Sequence, residues 1–258
     1  MKKFQLAVFT LSVFTLALVG CKKDDANPIQ NTPPTPPSFS TPQLTNFGGP
    51  TPTNVLAAIR TVTTMTLPVV GTQYIDANTG VAVFGTPGAD KGDVKIVYSG
   101  TNYPFTKNTV SGAVSYAYVP SVTNPTGIPL SSGATTVTFN VSGYALAAAN
   151  VVVPGQVRLS APTDSVISKS AGVVISWIVS GGAGSKTAVY ITDAAGHFKF
   201  YENMGAINTY TIPAADISGF TNGYGFLGVV TYNYVLTNSN QAVLIGECAA
   251  TKTLTIAN

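Results

Sequence analysis

The sequence predicts an all-β protein, with two tandem antiparallel β-sandwich domains following an N-terminal leader and a proline-rich tether. Short runs rich in Val, Ile, Thr and aromatic residues recur along residues 53–258, and clusters of Gly, Pro and Asn separate them. Short strands with turn residues at such spacing are typical of sandwiches. Charged residues make up only 9% of the chain, against about 25% in ordinary soluble domains. Thr, Ser, Asn and Gly must therefore cover much of the surface, as in exported β-proteins.

The first predicted domain covers residues 53–153, and its strand patterns begin at Asn54. A β-branched cluster that reaches Thr64 favours a strand there over a short helix. Four further strand-like runs follow, at Gly80–Gly85, Asp93–Tyr98, Val114–Val119 and Thr135–Ser142. Tyr144–Ala149 is either a weak helix or a connecting bend.

The second predicted domain covers residues 154–258 and has a clearer pattern. Its seven β segments are Val157–Ser160, Val173–Val179, Thr187–Thr192, His197–Tyr201, Thr209–Ile212, Phe226–Thr237 and Ala242–Ile256. The polar stretches Asp193–Gly196 and Asn238–Gln241 are predicted to be hairpin turns. Trp177, the only tryptophan, lies on an early strand, where a lone Trp usually packs at the centre of a sandwich.

Three loose motifs in this second domain resemble fibronectin type III and related immunoglobulin-like modules. They are the Pro154–Pro162 stretch with Val157 and Leu159, the strand from Val174 into Trp177, and Ile212–Ile217 before the penultimate strand. The resemblance covers about residues 155–258 and lacks the immunoglobulin-type cysteine pair; Tyr224 is a candidate for the tyrosine-corner residue. The first domain resembles uncharacterised Bacteroidetes lipoproteins, and the matching segments are Val55–Thr63, Val81–Phe84 and Thr138–Gly143. This resemblance implies no known activity.

The first 21 residues indicate export. Lys2 and Lys3 precede Phe4–Val19, an uncharged stretch of the kind found in signal peptides and slightly short for a membrane span. Leu18-Val19-Gly20-Cys21 resembles the lipobox of bacterial lipoproteins, which implies a signal peptide at 1–20 and a lipidated Cys21 carrying a diacylglycerol and an amide-linked acyl chain such as palmitate. The alternative is a plain signal peptide. Several acyl chains, at about 0.8 kcal/mol per buried CH₂, would make the anchor effectively permanent.

Residues 21–52 form the predicted tether. Lys22-Lys23-Asp24-Asp25 resembles the charged tetrad that directs Bacteroidetes lipoproteins to the cell surface, although a charged stretch could also simply solvate the linker. The prolines that follow favour polyproline II, at about 3.1 Å per residue, which would hold the domains some tens of ångströms from the membrane. We expect an outer-membrane, lipid-anchored protein that is exposed at the cell surface.

The charge balance excludes nucleic acid as a predicted partner. Four of the 13 basic and two of the 10 acidic residues lie in the leader and tetrad, which leaves nine basic and eight acidic residues. The exported body is therefore nearly neutral and carries no basic patch. With Cys21 lipidated, Cys248 has no partner for an intrachain disulfide, and we expect either a buried, inert thiol or an intermolecular pair.

Few residues suggest catalysis or a cofactor, and we predict no catalytic residue, no metal and no cofactor. His197, the only histidine, follows a predicted turn, and catalysis would need it beside a nucleophile and an acid. Asp90-Lys91-Gly92-Asp93 is explained as a turn, since Ca²⁺ wants six or more oxygen ligands. Gly181–Gly184 lacks the Lys-Ser/Thr and the helix of a phosphate loop.

Two tyrosine pairs and one serine stay as candidates for surface roles. Tyr116 with Tyr118, and Tyr232 with Tyr234, each share one face of a strand, where they either pack in the sheet or stack on sugar rings. Asp164-Ser165-Val166 matches the pattern at which Bacteroidetes O-glycosylate exported proteins, which implies Ser165 as the acceptor. We predict a non-catalytic surface protein with an unknown protein or glycan ligand: an interaction or structural module, or alternatively a glycan-binding accessory lipoprotein.

Overall fold

The computed structural model describes residues 51–67 and 71–258, in which β-strands dominate and one short helix occurs. In chain order the strands are β1 (Asn54–Leu67), β2 (Gly71–Phe84), β3 (Val94–Tyr98), β4 (Thr101–Pro104), β5 (Thr106–Val110), β6 (Ala113–Tyr118), β7 (Thr135–Val141), β8 (Asn150–Val153), β9 (Val157–Ala161), β10 (Val166–Ser168), β11 (Val173–Val179), β12 (Lys186–Asp193), β13 (Phe198–Met204), β14 (Thr209–Ile212), β15 (Gly223–Thr237) and β16 (Ala242–Ala257). The helix, α1 (Ala214–Ile217), has only four residues. The predicted all-β class is confirmed.

A nine-stranded sheet runs through both predicted domains. Eight of its strands follow the order β13-β12-β15-β16-β1-β2-β6-β5, and β10 pairs with one end of β16. Strand β1 lies between its hairpin partner β2 and β16, whose residues 242–251 it matches one for one. Whereas the other strand pairs of the described residues are antiparallel, as expected, the β1–β16 and β10–β16 pairs are parallel. Parallel pairing is open to them because long stretches of chain separate each pair, so no tight hairpin constrains their direction.

A three-stranded sheet, β14-β11-β9, packs on the part of the large sheet formed by β13, β12, β15 and β16. The core between them contains Trp177, of which 1% of the surface is exposed, with Ile175, Ile191 and Val229 around it. The predicted central position of Trp177 is therefore confirmed. Val62 of β1 also belongs to this core, although it lies about 90 residues before the predicted second domain begins.

A four-stranded sheet, β4-β3-β7-β8, packs on the part of the large sheet around β1, β2 and β6. Its core is formed by Leu56, Phe84, Ile96 and Phe139, and Leu244 of β16 joins it. Each core thus contains a residue from the other half of the chain. The domain boundary at residue 153 stays a prediction. The structure shows one large sheet that contains strands from both sides of this boundary.

Between the two cores, a row of polar side chains crosses the large sheet. Asn78 of β2, Arg60 of β1, Cys248 of β16, Thr231 of β15 and Thr187 of β12 are register neighbours, and each is at most 2% exposed. Arg60, Asn78, Cys248 and Thr231 each bond to backbone groups of the chain around them. Arg60 Nε and Asn78 Oδ1 have no partner among the described residues, so the row is only partly satisfied.

Several elements escaped the sequence patterns. Strands β4, β5, β8 and β10 and helix α1 were not expected, while the other predicted runs fall within strands. Tyr144–Ala149 contains no helix, so the bend was the correct alternative. The predicted turns at Asp193–Gly196 and Asn238–Gln241 connect β12 to β13 and β15 to β16.

Candidate functional site

The candidate site is the face of the nine-stranded sheet that points away from the two small sheets, which we call the outer face. Alternation along β16 defines it: Leu244, Cys248 and Ala250 belong to the covered cores, whereas Val243 and Ala249 belong to clusters on the opposite side. Successive side chains of a strand point to opposite faces. In an ordinary sandwich this opposite face is polar.

The outer face is instead apolar. One cluster combines Ala188, Tyr190, Val230, Tyr232 and Ala249 with partly buried Phe200 and Tyr234. A second combines Ala57, Val243 and Ile245 with partly buried Val55, Ile59, Val81, Tyr234 and Leu236. Every one of these residues comes from a strand of the large sheet itself. The face therefore carries two adjoining apolar clusters to which neither small sheet contributes a residue.

Glu247 lies at the centre of the outer face and is the residue that the sequence reasoning missed. The sheet register places it between Ile59 of β1 and Tyr232 of β15, and only 4% of its surface is exposed. Its Oε1 atom has no hydrogen-bond partner among the described residues. Burial raises the pKa of the Glu247 carboxyl to about 7, because a low-dielectric surrounding disfavours the charged form. The signal was present in the sequence: Glu247 is the single charge in the otherwise uncharged run Ala242–Thr251.

Tyrosine side chains lie on the same face as this carboxyl, with Tyr232 directly beside it in the register. Tyr232 is 1% exposed, and its hydroxyl accepts a hydrogen bond from the Asn203 N–H at 3.2 Å. The Tyr190 hydroxyl lies 2.7 Å from that of Thr251. Burial raises the pKa of Tyr232 to about 12 and also raises the pKa of Tyr190, so both hydroxyls stay neutral near pH 7. The Tyr232–Tyr234 pair belongs to this face.

The rim of the outer face carries exposed aromatic side chains on the edge strand β13. Phe198 is 48% exposed, and its ring stacks on Phe200 with 6.1 Å between centroids and 19° between planes. The Tyr190 ring lies 6.4 Å from Phe198. Exposed Phe198 and partly buried Phe200 form a stacked pair at the sheet edge, and the buried Tyr190 ring is tilted by 35° from Phe198. The sequence analysis did not predict this pair.

His197 pairs with Asp193, as one half of a catalytic triad would. Its Nδ1 lies 2.7 Å from Asp193 Oδ2, and its ring stacks on Phe220. The same carboxylate accepts the backbone N–H groups of His197 and Thr221, at 2.8 and 2.6 Å. Burial alone would raise the pKa of Asp193, but these hydrogen bonds outweigh it and the pKa is lowered. Asp193 therefore closes the β12–β13 turn and fastens the loop at Thr221.

The other sequence candidates have structural partners. Asp90 accepts hydrogen bonds from the Tyr116 hydroxyl, the Gly92 N–H and the Lys107 ammonium, at 2.7, 2.9 and 3.0 Å. This confirms the turn and places Tyr116 in the first core, with partly buried Tyr118 beside it.

The glycines at Gly181–Gly184 fill the junction between the small sheets. The Gly181 and Gly182 carbonyls accept the Ala134 and Gly155 N–H groups, each at 2.9 Å. A Cβ atom at Gly184 would lie 2.4 Å from the Tyr232 nitrogen, so a side chain does not fit there. These glycines are needed for close backbone approach.

Cys248 is buried, its sulfur accepts the Val157 N–H at 3.3 Å, and burial raises its pKa to about 12. A neutral buried thiol is inert, as expected. Ser165 lies on an exposed bend, and Tyr224 is 63% exposed. Cys21, the tetrad Lys22–Asp25, the leader and the proline-rich residues up to Pro50 lie outside the described residues.

Within residues 51–67 and 71–258, no three His, Cys, Asp or Glu side chains come together as a metal site. The same residues contain no helix that is long and apolar enough to cross a membrane.

Comparison with known proteins identifies no family. No protein-family model matches the chain, and no curated protein matches it. Among solved structures, a 1.5-MDa bacterial ice-binding adhesin, described for its retention at the host cell surface, matches with 12% identity and a TM-score of 0.23 over 79% of this chain. A Ca²⁺-stabilised adhesin with which an Antarctic bacterium binds ice matches with 16% identity and a TM-score of 0.26 over 76% of this chain. The chain spans 65% and 49% of those two structures. Scores this low do not establish a common fold.

Proposed function

We propose that this protein is a lipid-anchored, non-catalytic cell-surface protein, and that its outer face is the surface that binds a partner protein. The observation that carries the proposal is the pair of apolar clusters on the outer face, which contain no residue from either small sheet. The centres of these clusters are buried, and the partly exposed Val55, Ile59, Val81, Leu236 and Phe200 are the side chains that a partner can contact. Aromatic residues such as Phe200 are enriched at protein interfaces.

The sandwich arrangement supports this role. Strands β9, β11 and β14 face β13, β12, β15 and β16 around Trp177, an arrangement in keeping with the resemblance to fibronectin type III and immunoglobulin-like modules. Such modules are common in cell-surface proteins. The sheet shared with the first half gives a wide rigid platform for binding.

Variants of the outer face test the proposal. In the full chain, replacing Val81 and Leu236 with Ser removes partly buried apolar side chains from the second cluster. We expect binding of the chain's partner, or adhesion of cells that display the chain, to fall at least about tenfold, since buried apolar anchors dominate binding.

The matched control is Val174→Ser with Ile178→Ser, on β11. Both side chains are more than half exposed and lie on the solvent side of the three-stranded sheet. Equal losses in the two double variants, or no loss in either, would contradict the assignment of the outer face. Thermal unfolding of both variants separates loss of binding from loss of fold.

Glycan binding is the second candidate, and exposed Phe198, stacked on partly buried Phe200, favours it. Flat aromatic pairs offer the apolar surface on which sugar rings stack. A glycan array with the parent chain and with Phe198→Ala distinguishes the two candidates. Glycan hits that vanish in Phe198→Ala would replace the protein partner with a sugar.

Anchoring at Cys21 and surface export through Lys22–Asp25 belong to the same proposal. Cys21→Ala should release the chain from the membrane or leave it as an uncleaved precursor, because the acylated thiol is lost. Unchanged partitioning of Cys21→Ala into the detergent phase would contradict lipidation.

Asp24→Ala with Asp25→Ala should reduce digestion by protease added to intact cells while total membrane amounts stay similar. Equal surface labelling of this variant and the parent would leave the tetrad as a solvating linker. Mass analysis of exported chain at Ser165 tests the proposed O-glycan.

A further inference from the structure

We infer that the free edge of strand β13 pairs with β13 of a second copy of this chain, antiparallel and about a two-fold axis that passes beside Lys199. Such pairing joins the large sheets of the two copies into one continuous sheet. This inference goes beyond the proposed function, because it concerns the edge of the nine-stranded sheet and not its outer face.

The backbone of β13 leaves hydrogen-bonding groups on this edge. Strand β13 pairs with β12 on one side, and no strand of the described residues pairs with its other side. The Asp193 N–H donates to the His197 carbonyl at 3.1 Å, so His197 points its backbone groups toward β12. Successive residues of an antiparallel strand point these groups to alternate sides. Lys199 therefore also faces β12, whereas Phe198 and Phe200 direct their N–H and C=O groups to the free edge.

The two edge strands of the large sheet differ in their side chains. At the opposite edge, β5 is fully exposed and polar apart from Val110, and its Lys107 pairs with Asp90. On β13, Phe198 is 48% exposed and stacks on Phe200. Polar and charged edge strands oppose pairing with another chain, whereas exposed apolar edges favour it. Strand β13 is therefore the edge of this sheet that suits strand pairing.

This edge is complementary to itself. With the axis beside Lys199, Phe198 of each copy lies opposite Phe200 of the other, and each of these pairs can exchange both of its backbone hydrogen bonds. A two-fold axis perpendicular to the sheet keeps the outer face on the same side in both copies, so the rings lie together on that face. Aromatic side chains directly opposite each other stabilise a strand pair. The same patch thus serves both copies, as in an isologous interface.

The charges near the axis permit this pairing. Lys199 lies on the covered side of the sheet, since its neighbour Phe200 belongs to the outer face. Like charges directly opposite each other disfavour a strand pair, but Asp216 Oδ1 is 3.6 Å from the Lys199 ammonium and offsets the repulsion in each copy. A contact limited to one strand edge is small, so we expect reversible dimers.

Lys199→Cys in the full chain tests the axis by trapping the dimer. Residues on the axis face each other with about 4.5 Å between Cα atoms, a separation that a disulfide can span. Lys107→Cys is the matched control, because Lys107 and Lys199 are both ion-paired on edge strands, with 51% and 45% of their side chains exposed. In detergent micelles under mild oxidation, a non-reducing gel should show at least about tenfold more linked dimer for Lys199→Cys than for Lys107→Cys.

Phe198→Pro and Phe198→Thr, each combined with Lys199→Cys, test whether the backbone of the edge takes part. Both remove the ring, but only Pro removes the N–H that faces the free edge, where Pro is tolerated in a sheet. We expect the yield of linked dimer to be at least about fivefold lower with Pro than with Thr, because each copy loses an edge hydrogen bond. Thermal unfolding followed by Trp177 fluorescence checks that both variants keep the fold.

Self-pairing through β13 is overturned if Lys199→Cys and Lys107→Cys give equal yields of dimer or none, or if Lys199→Cys links only to other proteins. Equal yields with Pro and Thr at position 198 overturn it as well. Val81→Ser with Leu236→Ser, on the outer face, should leave the yield unchanged. Loss of crosslinking without loss of partner binding therefore refutes this inference alone, and the reverse result refutes only the proposed function.

Discussion

At the scale of single residues, buried polar groups of this protein differ in whether the fold satisfies them. Arg60 has no exposed surface, and its guanidinium donates to the Ser131 and Ser132 carbonyls at 2.5 and 3.2 Å. Asn78 donates to the Ile128 carbonyl at 2.7 Å. Glu247 is buried to a similar degree without a partner for Oε1. The Arg60 Nε and Asn78 Oδ1 atoms also lack a partner among the described residues, so the polar row is only partly satisfied, whereas Glu247 lies on the opposite, outer face.

Trp177→Ala should destabilise the fold severely. The indole is 1% exposed in the core between the two sheets, and truncating a buried Trp to Ala costs about 3–5 kcal/mol through lost contacts and the cavity left behind. Urea unfolding followed by circular dichroism measures the loss in the variant. In the parent, the single tryptophan should emit at blue-shifted wavelengths and move to the red on unfolding.

Ile178→Ala is the control. The Ile178 side chain, next to Trp177 in the chain, is 57% exposed, and surface substitutions usually change stability by no more than about 0.5 kcal/mol. Similar losses in Trp177→Ala and Ile178→Ala would contradict the central role of the indole, as would native emission near that of free tryptophan.

Asp193→Asn should change the dependence of stability on pH. The pKa of Asp193 is lowered in the fold, so its contribution is fully present above the unfolded value of about 3.9 and is lost as the pH falls through the folded pKa. At pH 7 the Asn variant should lose about 1–3 kcal/mol, since the N–H groups of His197 and Thr221 face a weaker acceptor. Unfolding midpoints between pH 2 and 7 measure both effects.

The parent should lose stability below about pH 4 more steeply than Asp193→Asn does. Asp164→Asn, on an exposed bend, should follow the parent curve. If Asp193→Asn and the parent show parallel curves over the whole range, the carboxylate does not stabilise the turn through its charge.

At the scale of elements, the turns before β4 and after β5 explain why the sequence patterns did not predict these two strands. Strands β3 and β4 are joined by Ser99-Gly100, and β5 and β6 by Ser111-Gly112, all four with positive φ. A two-residue hairpin loop of this kind requires left-handed backbone at both positions, and Asn-Gly or Asp-Gly is its usual sequence. In both hairpins Ser replaces Asn or Asp at the first loop position, so the turn is harder to predict from the sequence. The fully exposed strand β5 also lacks an apolar side, so alternation could not reveal it.

Arg60→Lys should loosen the junction between the two small sheets. Arg60 joins strand β1 to the Ser131–Gly133 loop through a planar group with several donors. A Lys ammonium is a single point and cannot reproduce that fork. We expect a loss of about 1–3 kcal/mol from hydrogen bonds made by a charged group, measured by thermal unfolding.

Arg158→Lys serves as the comparison, because Arg158 donates from its Nη2 atom to the Gln156 side chain and lies over the Tyr74 ring near the surface. Equal stability of Arg60→Lys and the parent would show that the loop carbonyls are satisfied without the guanidinium.

At the scale of the whole molecule, the shared sheet should make the two cores unfold together. Val62 and Leu244 each pack in the core of the other half, and β1 matches β16 over ten residue pairs. Phe139→Ala, in the core that does not contain Trp177, should therefore lower the unfolding midpoint reported by Trp177 fluorescence. The expected cost is about 3–5 kcal/mol.

An unchanged Trp177 transition in Phe139→Ala, with a separate earlier transition by circular dichroism, would indicate two independent units and would favour a domain boundary near residue 153. Val110→Ala, at a side chain that is 53% exposed on β5, should leave both signals unchanged.

The sequence by itself determined the all-β class, most strands of the second half, the central position of Trp177 and the structural reading of the Gly181–Gly184 loop. These depend on local alternation, turn residues and side-chain volume, which neighbouring residues in the chain already express. It also predicted the leader, Cys21 and the Lys22–Asp25 tetrad, which stay predictions.

Only the tertiary structure decided that β1 pairs with β16, about 190 residues away, and that the outer face is apolar around Glu247. Alternation tells which residues of a strand share a face, but not what covers that face or which strand lies beside it. Glu247 lies between Ile59 and Tyr232 on the neighbouring strands. No local sequence pattern predicts that these three residues are neighbours.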